Sequence, residues 1–269
     1  MQDELDEVYE AGLAHQAAGR RDEAIAAFKK CLELDPLDHG GAAIRLAALG
    51  GAPSPDAAPV AYVATLFDQH AEDFDDILVG QLEYDVPALI RARIDQLGLA
   101  RAFDRMLDLG CGTGLTGEVM EDLCDELVAV DVSEEMVTIA AERGCYDDLY
   151  VAEAVNFLES SDEKPFDCVL ATDVLPYLGA LEAFAAGLSG MCVPGALIGF
   201  STETQPDDWM DGAPWKVGPH HRYAHTQKYV GEIISAAGFE MVDVSAVTVR
   251  LEEGEPVPGQ MFLATKRPV

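Results

Sequence analysis

Basic residues are scarce in this 269-residue chain: 17 Lys and Arg stand against 49 Asp and Glu, a formal net charge of −32. A chain so acidic repels polyanions, which disfavours DNA, RNA and anionic membrane surfaces as partners. A solvated acidic surface that aids solubility accounts for the charge; an acidic patch for a cationic substrate or partner is the alternative. No apolar run approaches the roughly 20 residues that span a bilayer. The opening MQDELDEVYE lacks the basic segment and apolar run of a signal peptide, so a cytoplasmic protein is expected. The six cysteines (Cys31, Cys111, Cys124, Cys145, Cys168 and Cys192) have no CxxC or other ligand spacing. They read as reduced, buried small hydrophobes rather than a disulfide framework. No metal site is expected either, because the HHxxxH run of His220, His221 and His225 has no further ligands beside it.

Apolar residues make up 49% of the chain, enough for the core of one sizeable α/β domain with a small appendage. Residues 1–49 read as a helical hairpin followed by the first helix of a second. Leu5, Val8, Tyr9, Gly12 and Leu13 fall at helical spacing, as do Ala24, Ile25, Phe28, Cys31 and Leu32, and Pro36 ends the second helix. The stretch GGAPSPDAAP (50–59) has no periodicity and reads as a linker. Residues 60–100 hold two helical patterns expected to cap a ligand cleft. From residue 101 to 269 short apolar runs alternate with amphipathic helices, the pattern of a parallel sheet covered on both faces. Near the end, FEMVDVSAVTVRLE, a loop containing Gly254, Pro256, Pro258 and Gly259, and MFLATK form a hairpin, so the last strand should run antiparallel.

The chemistry concentrates in LDLGCGTG, Leu107–Gly114. An apolar strand runs into a glycine-rich turn, and an acidic residue, Asp131, closes the next strand. The separation suits a nucleoside-binding βαβ unit. Glycines permit positive φ and leave no Cβ between backbone and ligand. A carboxylate at the end of the second strand can accept hydrogen bonds from two ribose hydroxyls. The run Gly112–Gly117 also matches the dinucleotide fingerprint literally, so an NAD-dependent oxidoreductase is an alternative.

Asp108 ahead of the glycines gives DLGCGTG, which resembles the first motif of class I methyltransferases dependent on S-adenosylmethionine (SAM). The antiparallel final hairpin and the long helical stretch before the glycine turn also suit that family better than a dehydrogenase. The resemblance spans roughly residues 60–269 and implies a seven-stranded Rossmann-like sheet with an antiparallel last strand. It implies that Gly110, Gly112 and Gly114 lie against the methionine part of SAM, with backbone groups near Cys111 and Thr113 meeting its carboxylate and amine. Asp131 would hold the ribose, and Val132 and Met136 would flank the adenine. Glu153 and Ala154 would stand near its amino group; Thr172 and Asp173 would line the sulfonium end. Upstream, FDQHAEDFD resembles the FDxxAxxYD segment that lids the donor in small-molecule methyltransferases such as those of quinone biosynthesis, with Phe74 in place of the Tyr. EAIAAFKKCLELDPLD resembles a tetratricopeptide repeat. A single repeat cannot bury both faces, so it implies packing on the chain itself, self-association or a protein partner. The combination looks like a bacterial group of predicted methyltransferases carrying such repeats.

Methyl transfer needs donor and acceptor held close in a dry pocket, with a base only for a hydroxyl or ammonium nucleophile. The candidate acceptor surface is the long segment 202–225. Arg222, Tyr223, Trp215 and Tyr177 are candidate substrate contacts, and His225, Tyr223 and Asp173 are candidate catalytic groups. No DPPY or NPPY run follows the fourth strand, so a small-molecule acceptor is expected. A protein recruited through the repeat, or a scaffold that binds SAM without turnover, is the alternative.

Overall fold

Phe28 is fully buried between the first two helices because Gly12 leaves room for its ring: a Cβ at Gly12 would stand 2.8 Å from it. In the computed structural model, which describes residues 2–218 and 220–268, α1 (Gln2–Ala17) and α2 (Arg21–Leu34) form this hairpin and α3 (Ala42–Ala48) packs on α2. Asp38 starts α3 by accepting from the Ala42 and Ala43 amides at 2.6 and 2.9 Å, the arrangement that satisfies orphan N–H groups.

Residues 50–59 are not a free linker. Ala57 bridges Leu178, Ala58 N donates to Tyr177 O, and Asp56 O accepts from Gly179 and Ala180. The backbone polar groups of a proline-rich strip next to the sheet need partners, and the loop after β4 supplies them. The expected helical cap is α4 (Val60–His70), a 3₁₀ turn (Ala71–Asp73), a π-helical turn (Asp76–Gln81) and α5 (Val86–Gln96).

The core follows the expected alternation: β1 (Phe103–Leu109), α6 (Leu115–Met120), β2 (Cys124–Asp131), α7 (Glu134–Arg143), β3 (Asp148–Val151), α8 (Ala154–Ser160), β4 (Phe166–Ala171), α9 (Glu182–Met191) and β5 (Cys192–Glu203). These five strands are parallel in the order β3-β2-β1-β4-β5. β4 is buried along its whole length, as a strand covered on both faces must be.

The tail departs from the expected seven strands. The segment 202–225 is not a plain loop: α10 (Asp207–Met210) leads to β6 (Trp215–Val217) and β7 (Tyr223–His225), an antiparallel pair. β7 joins β5 through Glu203 and Ala224, beyond the point where β4 has left the sheet. Then come α11 (Gln227–Ala236), capped by Thr226, β8 (Phe239–Glu252) and β9 (Glu255–Lys266). β9 lies antiparallel between β5 and β8. It begins at Glu255, so the Gly254–Gly259 stretch is largely strand; only Glu253 and Gly254 turn the hairpin, both at positive φ. The sheet therefore has nine strands. No helix among the described residues is long and apolar enough to cross a membrane.

Candidate active site

At the end of β1 the chain must reverse into α6 within a few residues, and Gly110, Gly112 and Gly114 do so at φ of 74, 53 and 98°. Side chains rarely adopt this region. A Cβ on Gly110 would also come within 2.3 Å of Val174, whereas at Gly112 the nearest atom is the Phe74 ring at 3.7 Å. The amides of Gly110 and Cys111 donate to Val130 O at 2.7 and 3.0 Å, stitching the turn to β2. Asp131 sits between turn and helix: Oδ2 accepts from Gly112 N at 2.8 Å and Oδ1 from Ser133 N at 2.9 Å. Burial pushes its carboxyl above the usual range, opposed by those amides. Each oxygen keeps a second lone pair for a ligand hydroxyl.

A cavity of about 610 Å³ opens over this turn, within the size range of small-molecule sites. Its floor is the glycine turn and the carboxyl ends of β2 and β4, where parallel sheets bind ligands. Its roof is Val63, Phe67, Phe74 and Leu78. The Phe67 ring meets Phe74 and Tyr177 edge-on, with centroids 5.8 and 5.4 Å away. Two carboxylates fasten the roof: Asp68 accepts from Ser133 Oγ and Asp75 from Thr113 Oγ1, each at 2.5 Å. Arg143 bonds both Asp75 and Thr113 O.

Gly110, Cys111, Gly112, Thr113, Asp131, Val132, Glu153, Ala154, Thr172, Asp173, Tyr177 and Arg222 all border the cavity. Glu153 is also the N-cap of α8, accepting from Val155 and Asn156 at 2.9 and 2.7 Å. Asp108, Gly114 and Met136 lie behind the wall. Asp108 is fully buried and accepts from Tyr146 Oη at 2.6 Å. Burial, opposed by that bond, pushes its carboxyl up to about 7. Gly114 packs on Arg143 and Tyr146, and Met136 is in the core.

The expected bases from segment 202–225 do not reach the cavity. Tyr223 is fully buried and donates to Pro55 O at 2.6 Å; His225 is buried with Nε2 3.1 Å from Gly179 O. Burial pulls the His225 imidazole down to about 4. Trp215 packs against Gly179 and Tyr223. The cause is the β6–β7 pair: once β7 joins β5, its side chains serve the sheet and the 55–58 strip. Of the proposed catalytic groups Asp173 alone faces the cavity. It is left-handed at φ 59°, a strain of about 1–3 kcal/mol that Asp tolerates better than most and that recurs at ligand sites.

Tyr84 and Arg250 also line the cavity and were not expected. Tyr84 is buried with its hydroxyl against Thr172, and burial holds its phenol far above the usual range. Arg250 is 1% exposed; Nη2 reaches Glu203 at 2.6 Å and Nη1 reaches Asp173 at 3.5 Å. A bulge puts it there. β8 pairs Thr248 with Pro258 but Arg250 with Val257, so Val249 is the extra residue and Arg250 is turned to the opposite face.

A family profile described as "Methyltransferase domain" matches residues 107–198. The ubiquinone biosynthesis O-methyltransferase of Maricaulis maris is 31% identical over 143 residues, covering 49% of this chain and 56% of that protein. The enzyme of the same name from Caulobacter vibrioides is 34% identical over 118 residues, 41% of this chain and 46% of that protein. The chain thus spans about half the length of these curated relatives. Among solved structures, the DhpI–SAH complex matches with a TM-score of 0.54 at 18% identity, covering 78% of this chain and 98% of that one. The N-methyltransferase NodS from Bradyrhizobium japonicum, in complex with S-adenosyl-L-homocysteine (SAH), gives 0.52 at 17%, covering 67% and 87%. At these identities the structural likeness is one of fold: a Rossmann-like methyltransferase sheet.

Proposed function

We propose that this chain is a SAM-dependent methyltransferase acting on a small organic molecule. The observation that carries the reading is Asp131, ligated by the Gly112 and Ser133 amides beside the left-handed Gly110 and Gly112 on the cavity floor. That cradle fits a nucleoside: a Cβ is excluded where the backbone must be approached, and a carboxylate is presented at ribose-binding position. The antiparallel β9 between β5 and β8 weighs against the dinucleotide-enzyme alternative. When bound, SAM supplies a methyl group on a sulfonium, whose departure as a neutral thioether makes transfer favourable.

The chain's own part is binding, positioning and exclusion of water. Asp131 holds the ribose hydroxyls, and Val132, Glu153 and Ala154 border the base. Phe67, Phe74 and Leu78 keep the cavity dry, which strengthens every polar contact inside it. Asp173, facing Arg250, orients an acceptor hydroxyl or amine and takes its proton; we assign no base to Tyr223 or His225. The 1–49 unit is tetratricopeptide-like and serves chiefly to brace the acceptor side, since Tyr62, Val63, Ile44, Val217 and Tyr223 share one apolar cluster. The acidic surface and free cysteines suit a cytoplasmic enzyme with a small acceptor rather than nucleic acid.

Titration calorimetry with SAH tests the reading. Wild type should bind, and Asp131→Ala should weaken binding about tenfold or more, the worth of lost charge-assisted hydrogen bonds. Binding of NADH in place of SAH would sink it.

A further inference from the structure

Two arginines reach the cavity of a chain that has only 17 basic residues, and their surroundings differ. Arg250 is oversupplied with carboxylates: Glu203 at 2.6 Å, with Asp173 and Glu252 each at 3.5 Å. It is also almost wholly buried. Its charge is used inside the protein. Arg222 is undersupplied. Its Nε reaches Tyr177 Oη at 3.4 Å and its Nη1 reaches Glu252 Oε2 at 3.4 Å, both at the outer limit of a hydrogen bond. Glu252 is itself divided among Arg222, Arg250 and His220, the last at 3.1 Å. Among the described residues the rest of the Arg222 fork, which carries five donors and no acceptor, has no closer partner. Tyr177 Oη adds another donor at the same wall.

Val60, Val63, Phe67 and Leu178 give the acceptor side an apolar stretch, and Asp56, Asp173, Glu182 and Arg250 are charged members of the same lining. A fork of donors at the end of an apolar stretch matches a planar oxyanion, which takes two parallel hydrogen bonds from a guanidinium. Arg222 is also held in place from outside. Gly218 N donates to Arg222 O at 2.6 Å, and the adjacent His221 lies 3.4 Å from Gln16 of α1.

We propose that the acceptor is a small organic acid with an apolar body, its carboxylate received by Arg222 and Tyr177. This rests on the methyltransferase reading for the word acceptor, but the subsite itself does not depend on it. The carboxylate is a handle for orientation: held at Arg222, it would present the remainder of the molecule to Asp173 and the glycine turn.

Three matched probes test this: 3-phenylpropionate, 3-phenylpropanamide and 3-phenylpropylamine, titrated by calorimetry into protein saturated with SAH. The propionate should bind about tenfold or more tightly than either neutral or cationic counterpart, the usual margin for a charge-assisted pair. Arg222→Gln should abolish that preference and Arg222→Lys should retain part of it, with melting temperature and SAH affinity close to wild type. Equal or tighter binding of the amide or amine, or a preference that survives Arg222→Gln, would overturn the proposal. If SAH itself fails to bind, the donor reading falls; the same three titrations on the protein alone then decide the carboxylate subsite.

Discussion

The two halves of the cavity are built in opposite ways. The half over the glycine turn comes from one βαβ unit, in which residues 109–133 supply the turn, Asp131 and the α7 N-cap, and backbone amides make most of the contacts. The opposite half, the proposed acceptor side, is assembled from five separated places: the 56–58 strip, the α4 face, the loop after β4, Arg222 ahead of β7, and Arg250 on β8. Side chains, many of them charged, do the work there. A backbone site keeps its ligand when surface residues change; a side-chain site can be re-specified by single substitutions. One half is suited to a constant ligand, the other to a variable one.

The largest effect is expected at Arg250. Replacing it with Met leaves Glu203 buried beside Asp173 without its counter-ion, which should cost about 3–5 kcal/mol of stability. Urea unfolding measures it. Replacing Glu203 with Leu in the same protein should restore most of the loss, because a buried pair exchanged for apolar groups is close to neutral. A loss below about 1 kcal/mol in the single variant would mean the acceptor half is not held by this ion pair.

The second test uses pH, and sets Asp108 behind the donor half against His225 behind the acceptor half. The buried His225 imidazole sits at about 4 instead of 6.5. Below 6.5 the unfolded chain binds a proton that the folded one refuses, so its stabilisation is present above that pH and is lost as pH falls towards 4. Asp108 behaves inversely. Its carboxyl sits at about 7 instead of 3.8, so the folded state holds a proton the unfolded one releases, and stability falls as pH rises from about 4 to 7. Each contributes a slope summing to about 3–4 kcal/mol across its window. Removing His225 (His225→Gln) should therefore make stability fall more steeply with rising pH between 4 and 6.5, and Asp108→Asn should make it rise. Thermal unfolding at half-unit steps reads both; parallel curves for the variants and wild type would refute the assignment.

The same contrast explains what could be read from sequence. The glycine turn, Asp131 and the alternating core are local: their signals lie within a few residues of the structure they specify. The β6–β7 pair has strands of three residues each, too short for any alternation to register, so 202–225 reads as a loop. Tyr223 and His225 look available in a loop and become buried once β7 pairs with β5. Arg250 sits in VTVRLE, where simple alternation turns it away from the cavity; the Val249 bulge that reverses it leaves no mark in composition. Tyr84 is one more aromatic ahead of a helix until Thr172, 88 positions later in the chain by numbering, lies against it. Contacts over such separations are set by topology, and short-range patterning does not encode them.

The smallest effect expected is at Glu153, which borders the cavity beside Ala154. The carboxylate caps α8 through the Val155 and Asn156 amides, so Glu153→Ala should cost about 1 kcal/mol of stability whatever the ligand. If it also reads the amino group of adenine, SAH affinity should drop about threefold, the worth of one hydrogen bond. The two roles separate with S-inosylhomocysteine, in which a carbonyl replaces that amino group. Wild type should prefer SAH over the inosine analogue, and Glu153→Ala should bind both alike. A preference that persists in the variant would put base recognition on the backbone around Ala152 and Ala154. The donor half would then be read by main chain throughout, in full contrast with the side-chain recognition of the acceptor half.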